Sequence, residues 1–255
     1  MKKPLVIGHR GFAARFPENT LPSFSEAFRA GAHGIEFDVQ FSNDNIPIIL
    51  HDSRLERTTN AKGYCHHFTT SELANFDAGY CFDPKKSGSF LFRGKALRIP
   101  TFEDILLSFP TQTLLVEIKP KSRELVHACM KLIVKHGRAK DVIVGSQHHA
   151  VSDEMKKSYP DILRFYSQRE IVIAYLNFQR GAKISVDKTA VASMPLEKCG
   201  LNFSDPKFIA YLHTHQIQAY YWTINDPRTV LRLARDGADG IISDDPEQAL
   251  KQLGD

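Results

Sequence analysis

The chain has 255 residues, 42% of them apolar, and 33 basic against 29 acidic side chains give a net charge of +4. That length suits one α/β barrel of the usual size as well as two small domains, and the apolar share is enough for a sizeable core. No run nears the roughly 18 to 20 apolar residues of a membrane span, and Lys and Arg are spread along the chain, which suits a small anionic substrate as well as it suits nucleic acid or a membrane.

No nucleic-acid partner and no stable membrane association are therefore expected. Cys65, Cys81, Cys129 and Cys199 lack C-x-x-C spacing and are too sparse for a disulfide framework, so reduced thiols are the expectation. The start, MKKPLVIGHRG, leaves no room for a signal peptide ahead of His9, which points to a cytoplasmic protein.

In chain order, Pro4 to Gly8 reads as a buried strand ending in His9-Arg10-Gly11, where the glycine permits a sharp turn. Thr20 to Ala30 reads as a helix with Leu21, Phe24 and Phe28 at helical spacing, Pro22 in its first turn, and Asn19 or Thr20 as cap. The stretch GIEFDVQFSNDNIPIILHD, residues 34 to 52, follows. Glu36 and Asp38 are two apart, so on a strand their carboxylates share a face. The next apolar run, Ile46 to Leu50, comes too soon for a parallel crossover. A hairpin at Asn43, Asp44 and Asn45 is expected, which returns His51 and Asp52 to the neighbourhood of the two acids.

Residues 53 to 98 show weak periodicity and read as an insertion after the second strand, with a short helix near Ser71 to Phe76 capped by Thr70 or Ser71. Regular alternation then resumes. Helices are expected at Thr101 to Phe109, Ser122 to Lys135, His149 to Tyr159, Arg169 to Asn177, Asp205 to His215, Pro227 to Asp236 and Pro246 to about Leu253. Strands are expected at Thr113 to Ile118, Val142 to Gly145, Ile162 to Tyr166, Lys183 to Val186, Gln218 to Trp222 and Gly240 to Ser243.

Without the return arm of the hairpin this makes eight strands, most followed by a helix. The α/β alternation favours a closed (β/α)8 barrel, one domain over 1–255 with the 53–98 insertion, over an open doubly wound sheet. HRGFAARFPEN is not the Gly-rich phosphate loop an open sheet would show after its first strand.

Barrel enzymes carry their reactive groups at the C-terminal ends of strands. Polar residues cluster there: His9 and Arg10, Glu36 and Asp38, Glu117 and Lys119, Trp222 and Asn225, and Asp244. Glu36, Asp38 and Glu117 supply three hard oxygens for a divalent cation, Mg²⁺ or Ca²⁺ ahead of zinc. Arg10 and Lys119 suit a phosphoryl oxygen, and His9 and His51 suit acid and base. The set describes metal-assisted cleavage of a phosphate ester.

Blander readings apply elsewhere. His66-His67 and His148-His149 read as surface or loop residues, Asn19 as a helix cap, and Asp244 as a group bonding backbone near the last helix. Asp52 reads as orienting His51 or as a metal ligand. Trp222 is a barrel-core aromatic or a wall of the substrate pocket. Glu18 has no assigned role.

HRG at 9–11, PENT at 17–20, IEFDVQ at 35–40, HD at 51–52, RTTN at 57–60, IPTFEDIL at 99–106, VEIKP at 116–120, YWTIN at 221–225 and DGIISDDP at 239–246 resemble the glycerophosphodiester phosphodiesterases over nearly the whole chain. The resemblance implies a TIM barrel, metal ligands at Glu36, Asp38 and Glu117, acid/base histidines at His9 and His51, and phosphate contacts at Arg10 and Lys119. It implies hydrolysis of glycerophosphodiesters, such as glycerophosphocholine, to glycerol 3-phosphate and an alcohol. The chain departs from that resemblance at Ser146-Gln147-His148-His149, where such sequences usually carry Ser-Phe-Asp or Ser-Phe-Asn, so head-group preference stays open, as do the native metal and oligomeric state. A lysophospholipase D acting at membranes would share the site and use an exposed apolar rim such as Phe90-Leu91-Phe92. A metal-free phospholipase C-like barrel would carry a cation in place of the metal, against which the acid triplet argues, and a non-catalytic binder would be expected to lack a ligand or a histidine.

Overall fold

The computed structural model describes residues 3–184 and 190–254. Among the described residues eleven strands run β1 Leu5–His9, β2 Gly34–Phe41, β3 Pro47–Ile49, β4 Thr113–Ile118, β5 Val142–Gly145, β6 Arg164–Phe165, β7 Ala190–Met194, β8 Glu197–Lys198, β9 Leu201–Asn202, β10 Gln218–Tyr221 and β11 Gly240–Ser243. The helices are α1 Leu21–Arg29, α2 Thr70–Leu73, α3 Phe102–Ser108, α4 Arg123–Lys135, α5 His149–Ser158, α6 Gln168–Gln179, α7 Pro206–Thr214, α8 Pro227–Asp236 and α9 Pro246–Leu253. Eight strands pair in parallel in the order β1-β11-β10-β7-β6-β5-β4-β2, and β1 pairs with β2 to close the ring. The expected TIM barrel is therefore what the chain forms.

Closure follows from which side chains each strand turns inward. Ile7, Leu115, Ile143, Phe165, Val191, Tyr220 and Ile242, one from each of seven barrel strands, pack together inside the ring. The eighth strand, β2, differs: Ile35, Phe37 and Val39 alternate outward into the layer beneath α1, α3 and α4, which leaves Glu36 and Asp38 facing in. Each fully buried Leu, Ile or Phe of these layers contributes about 1.5–3 kcal/mol. Among the described residues no helix is long and apolar enough to cross a membrane.

The helix starts follow their caps. Pro22, Pro206, Pro227 and Pro246 occupy first-turn positions behind the caps Thr20, Asp205, Asp226 and Asp245. In the excursion the helix begins one residue earlier than expected and is shorter: Thr69 caps α2, because Glu72 reaches back to complete a capping box with it. Ile48 and Leu50 at the hairpin's return arm pack with Leu55, Cys65, Leu73, Ala78 and Ile99, a small core that seats the excursion on the barrel.

The sixth barrel strand needs correction. The expected Lys183 to Val186 falls partly on residues 185–189, outside the described ones, and Lys183 and Ile184 belong to no strand. Ala190–Met194 fills that position, its register fixed by β10 through Val191 opposite Gln218 and Met194 opposite Tyr221. The fifth strand is also shorter than expected, limited to Arg164–Phe165.

Candidate active site

Parallel register brings the polar strand ends together. His9 lies opposite Glu36 across β1 and β2, and Asp38 lies opposite Glu117 across β2 and β4. The hairpin forms as expected, with Val39 opposite Ile49 and the Leu50 N–H donating to the Asp38 carbonyl at 3.0 Å, so His51 returns to the rim. At the end of β1, Gly11 adopts φ +88°, and a Cβ there would stand 2.4 Å from Ser23 Oγ. Glycine at that position lets the strand turn directly against α1.

The acids form one group. Ligand oxygens from Glu36, Asp38 and Glu117 lie within 4.8 Å of one another, and Glu36 and Asp38 are only 8% and 1% exposed. Lys119 Nζ stands 2.9 Å from Asp38 and 2.8 Å from Glu117. The Arg10 guanidinium is 3.3 Å from Asp38, while the Arg10 backbone N–H donates to Glu36 at 3.2 Å. Burial, Asp38 and Glu117 together push the Glu36 carboxyl up to about 7. Burial works against ionisation of Asp38 too, but Lys119 and Arg10 outweigh it and hold that carboxyl below its ordinary value. Two side-chain cations thus face three acids, and Glu36 is the one left undercompensated. An all-oxygen donor set of this kind fits a hard divalent cation.

Each of the two histidines rests on its own carboxylate. His9 Nδ1 donates to Asp244 at 2.6 Å, and Asp244 accepts a second bond from Asn225 Nδ2 at 2.6 Å. Burial opposes a charged His9, yet the Asp244 bond and Glu36, 3.9 Å from Nε2, raise its pKa above the usual imidazole value. His51 Nδ1 donates to Asp52 at 2.6 Å. Arg57 grips Asp52 and also bonds Glu18 at 2.7 and 2.8 Å, and Glu18 accepts from Arg10 at 2.9 Å. Because a carboxylate only accepts, both rings carry their proton on Nδ1 and keep Nε2 for other work.

Two expectations change here, those for Asn19 and Asp244. Asn19 does not cap α1; Thr20 does, and Asn19 turns to φ +59° and donates to Asp38 at 3.0 Å. The Asp244 carboxylate, expected to bond backbone near the last helix, instead holds the His9 imidazole and the Asn225 amide. Trp222 takes both proposed places at once, lining the cavity and packing against the interior cluster. Asp52 orients His51 as expected. Glu18, unassigned from sequence, ties Arg10 to Arg57, and the PENT segment that carries it was the available signal.

The acid trio, Arg10, Lys119, His9 and His51 line one side of a cavity of about 280 Å³. Phe165, Ile171, Val172, Leu201, Phe203 and Trp222 form an apolar wall, with Gln147 and Gln168 joined at 2.6 Å on the rim. Among the described residues no other three His, Cys, Asp or Glu side chains bring donor atoms comparably close. His66 and His67 sit exposed in a short turn beside Tyr64, as their sequence context suggests.

The sequence model of the Glycerophosphoryl diester phosphodiesterase family matches residues 9–248. A glycerophosphodiester phosphodiesterase of Caldanaerobacter subterraneus subsp. tengcongensis is 30% identical over 253 residues, covering 96% of each chain. A human lysophospholipase D is 23% identical, over 94% of this chain and 83% of that one. A solved phosphodiesterase of Oleispira antarctica, in complex with the product sn-glycerol-3-phosphate, superposes with a TM-score of 0.78 at 26% identity, covering 99% and 98% of the two chains. The glycerophosphoryl diester phosphodiesterase domain of a Mycobacterium tuberculosis protein shares the fold at a TM-score of 0.87 and 20% identity, covering 99% of each. With a match across almost its whole length and a cavity where acids, histidines and cations converge, the chain belongs to the glycerophosphoryl diester phosphodiesterase family and is a phosphoric diester hydrolase.

Proposed function

We propose that the protein hydrolyses glycerophosphodiesters such as glycerophosphocholine to glycerol 3-phosphate and the free alcohol, with one divalent cation, Mg²⁺ or Ca²⁺, and two histidines. The observation that carries this reading is the pair of carboxylate-anchored imidazoles flanking the acid trio in one cavity. Glu36, Asp38 and Glu117 would hold the cation, which when bound polarises the phosphoryl group. Arg10 and Lys119 bind phosphoryl oxygens and orient the diester.

His9 and His51 move the protons: one takes a proton from the nucleophile at Nε2, and the other delivers one to the departing alkoxide. Asp244 and Asp52 accept from the Nδ1–H groups, so each Nε2 is turned to the substrate, bare on the ring that serves as base and protonated on the imidazolium that serves as acid. The apolar wall shelters the bond being broken from bulk water and packs against the carbon skeleton of the substrate. We read residues 1–255 as one domain, the 53–98 excursion included, acting in the cytoplasm on a small-molecule substrate.

The same wall favours a second reading, lysophospholipase D activity, because it presents a largely apolar surface to whatever leaves the phosphate. One experiment serves both. Purified protein is assayed on a panel of glycerophosphodiesters and one lysolipid with Mg²⁺, Ca²⁺ or Mn²⁺, and again after exhaustive chelation. Turnover of the panel only with added cation is expected, and full activity after chelation would remove the metal role. A lysolipid turned over faster than every small diester would favour the second reading.

A further inference from the structure

Residues 83–98, the outer part of the excursion, hold five basic side chains, Lys85, Lys86, Arg93, Lys95 and Arg98, and one acid, Asp83. That segment therefore carries +4, the net charge of the entire chain, and the remainder balances to zero. The excess is concentrated where the overall composition looked evenly spread. Asp83, the one acid, accepts from the Ser87 and Gly88 backbone N–H groups at 3.1 and 2.7 Å and pairs with none of these cations among the described residues. Lys85, Lys86, Lys95 and Arg98 are exposed, and none of them forms an ion pair among the described residues.

An apolar tip stands among these cations. Leu91 is 74% exposed, more than any other exposed large apolar side chain among the described residues. One exposed leucine means little by itself. Here both neighbours are pinned. The Phe92 ring packs on Phe16 at 5.8 Å and Phe82 at 5.4 Å, and the Arg93 guanidinium stacks over Phe90 at 3.7 Å while bonding the Tyr80 carbonyl at 2.9 Å. Those contacts hold Leu91 outward.

The patch also has a definite address. Phe16 belongs to the loop between β1 and α1, which carries Arg10 of the cavity and the Glu18 bonded to it. The tip thus stands at the cavity end of the barrel. An exposed apolar side chain in the same short segment as four exposed unpaired cations is the surface chemistry of a protein that rests on anionic headgroups while inserting one residue among acyl chains.

We propose that residues 83–98 dock the barrel peripherally and reversibly on a bilayer rich in anionic lipid, with Leu91 inserted and Lys85, Lys86, Lys95 and Arg98 against the headgroups. The docked orientation turns the cavity end toward the membrane. A nucleic acid would engage the same cations without calling on Leu91, and that difference separates the two partners.

The test is co-sedimentation of the full chain with vesicles of pure phosphatidylglycerol or pure phosphatidylcholine, beside binding to a single-stranded oligonucleotide. Each headgroup-facing cation is worth about fivefold in partition, so a Lys85→Gln, Lys86→Gln double variant should bind phosphatidylglycerol vesicles about thirtyfold more weakly. Leu91→Ser should weaken the same binding about tenfold. Added salt should release the wild type, phosphatidylcholine should retain little of it, and both variants should hydrolyse soluble glycerophosphocholine at the wild-type rate, which confirms that they fold. Absence of binding to phosphatidylglycerol vesicles, equal binding to both lipids, or a silent Leu91→Ser beside tight oligonucleotide binding would each overturn the proposal.

Discussion

Glu170 caps the start of α6, the helix whose Gln168, Ile171 and Val172 line the cavity, and its removal has an effect that can be worked out. Its carboxylate accepts from Arg164 at 2.9 and 3.2 Å, from Ser152 Oγ at 2.7 Å, and from the backbone N–H and hydroxyl of Ser167 at 2.8 and 2.7 Å. Burial alone would raise its pKa, but Arg164 and these bonds bring it down to about 2 from 4.5. The side chain is 12% exposed, so solvent screens little of this. A gap of that size corresponds to about 3 kcal/mol of stability at neutral pH. The folded value is the lower one, so this contribution is complete above the unfolded pKa of 4.5 and fades as pH falls from there through about 2. Glu170→Gln should therefore lower the stability measured by urea unfolding at pH 7 by about 3 kcal/mol, and the difference from wild type should shrink on acidification toward pH 3. A loosened α6 start should also raise KM more than it lowers kcat. Equal midpoints at pH 7, or a difference that does not change with acid, would refute this account of the α6 anchor.

His51→Ala should leave the circular dichroism spectrum and melting temperature close to wild type while turnover falls about 10²–10⁴-fold, and near-wild-type turnover would remove its acid/base role. Asp244→Asn keeps the shape but loses the charge that steadies His9, so kcat should fall at least about tenfold with KM little changed, as steady-state kinetics on glycerophosphocholine can read. A KM effect alone would mean that Asp244 acts on substrate binding. Gly145→Ala places a methyl 2.2 Å from the Phe165 ring, which must swing into the cavity, and should cost about 1–3 kcal/mol in thermal unfolding and weaken substrate binding. An unchanged melting temperature would show that the ring yields freely.

Much of the site was readable because it rests on strand periodicity. Glu36 and Asp38 share a face by counting alone, and the brevity of the linker at Asn43–Asn45 forces the turn that returns His51. What the sequence concealed depends on partners far along the chain. Asn19 and Thr20 are both good caps, and only the presence of Asp38 opposite the loop decides that Asn19 turns away from the helix. Asp244 was visible at the end of a strand, but its bond to His9 depends on the β1–β11 register, with Gly8 beside Ser243, between residues 235 positions apart. The sixth strand was misplaced because Lys-Ile-Ser-Val carries more β-branched character than Ala-Val-Ala-Ser-Met, whereas pairing with β10 selects the latter. Net charge summed over the whole chain likewise hid the concentration at the excursion's tip.

That the three acids ride on adjacent hydrogen-bonded strands has a consequence for how such proteins diversify. The ladder joining β2 and β4 sets the spacing of the acids before any connecting segment is added, so the parts of the connections that hold none of the site's residues are free to lengthen, shorten or be transplanted between relatives. A chimera that exchanges only the outer part of the excursion, beyond Arg57 and its bonds to Asp52 and Glu18, should keep its chemistry and change its address, which makes the barrel a fixed hearth with interchangeable doorways.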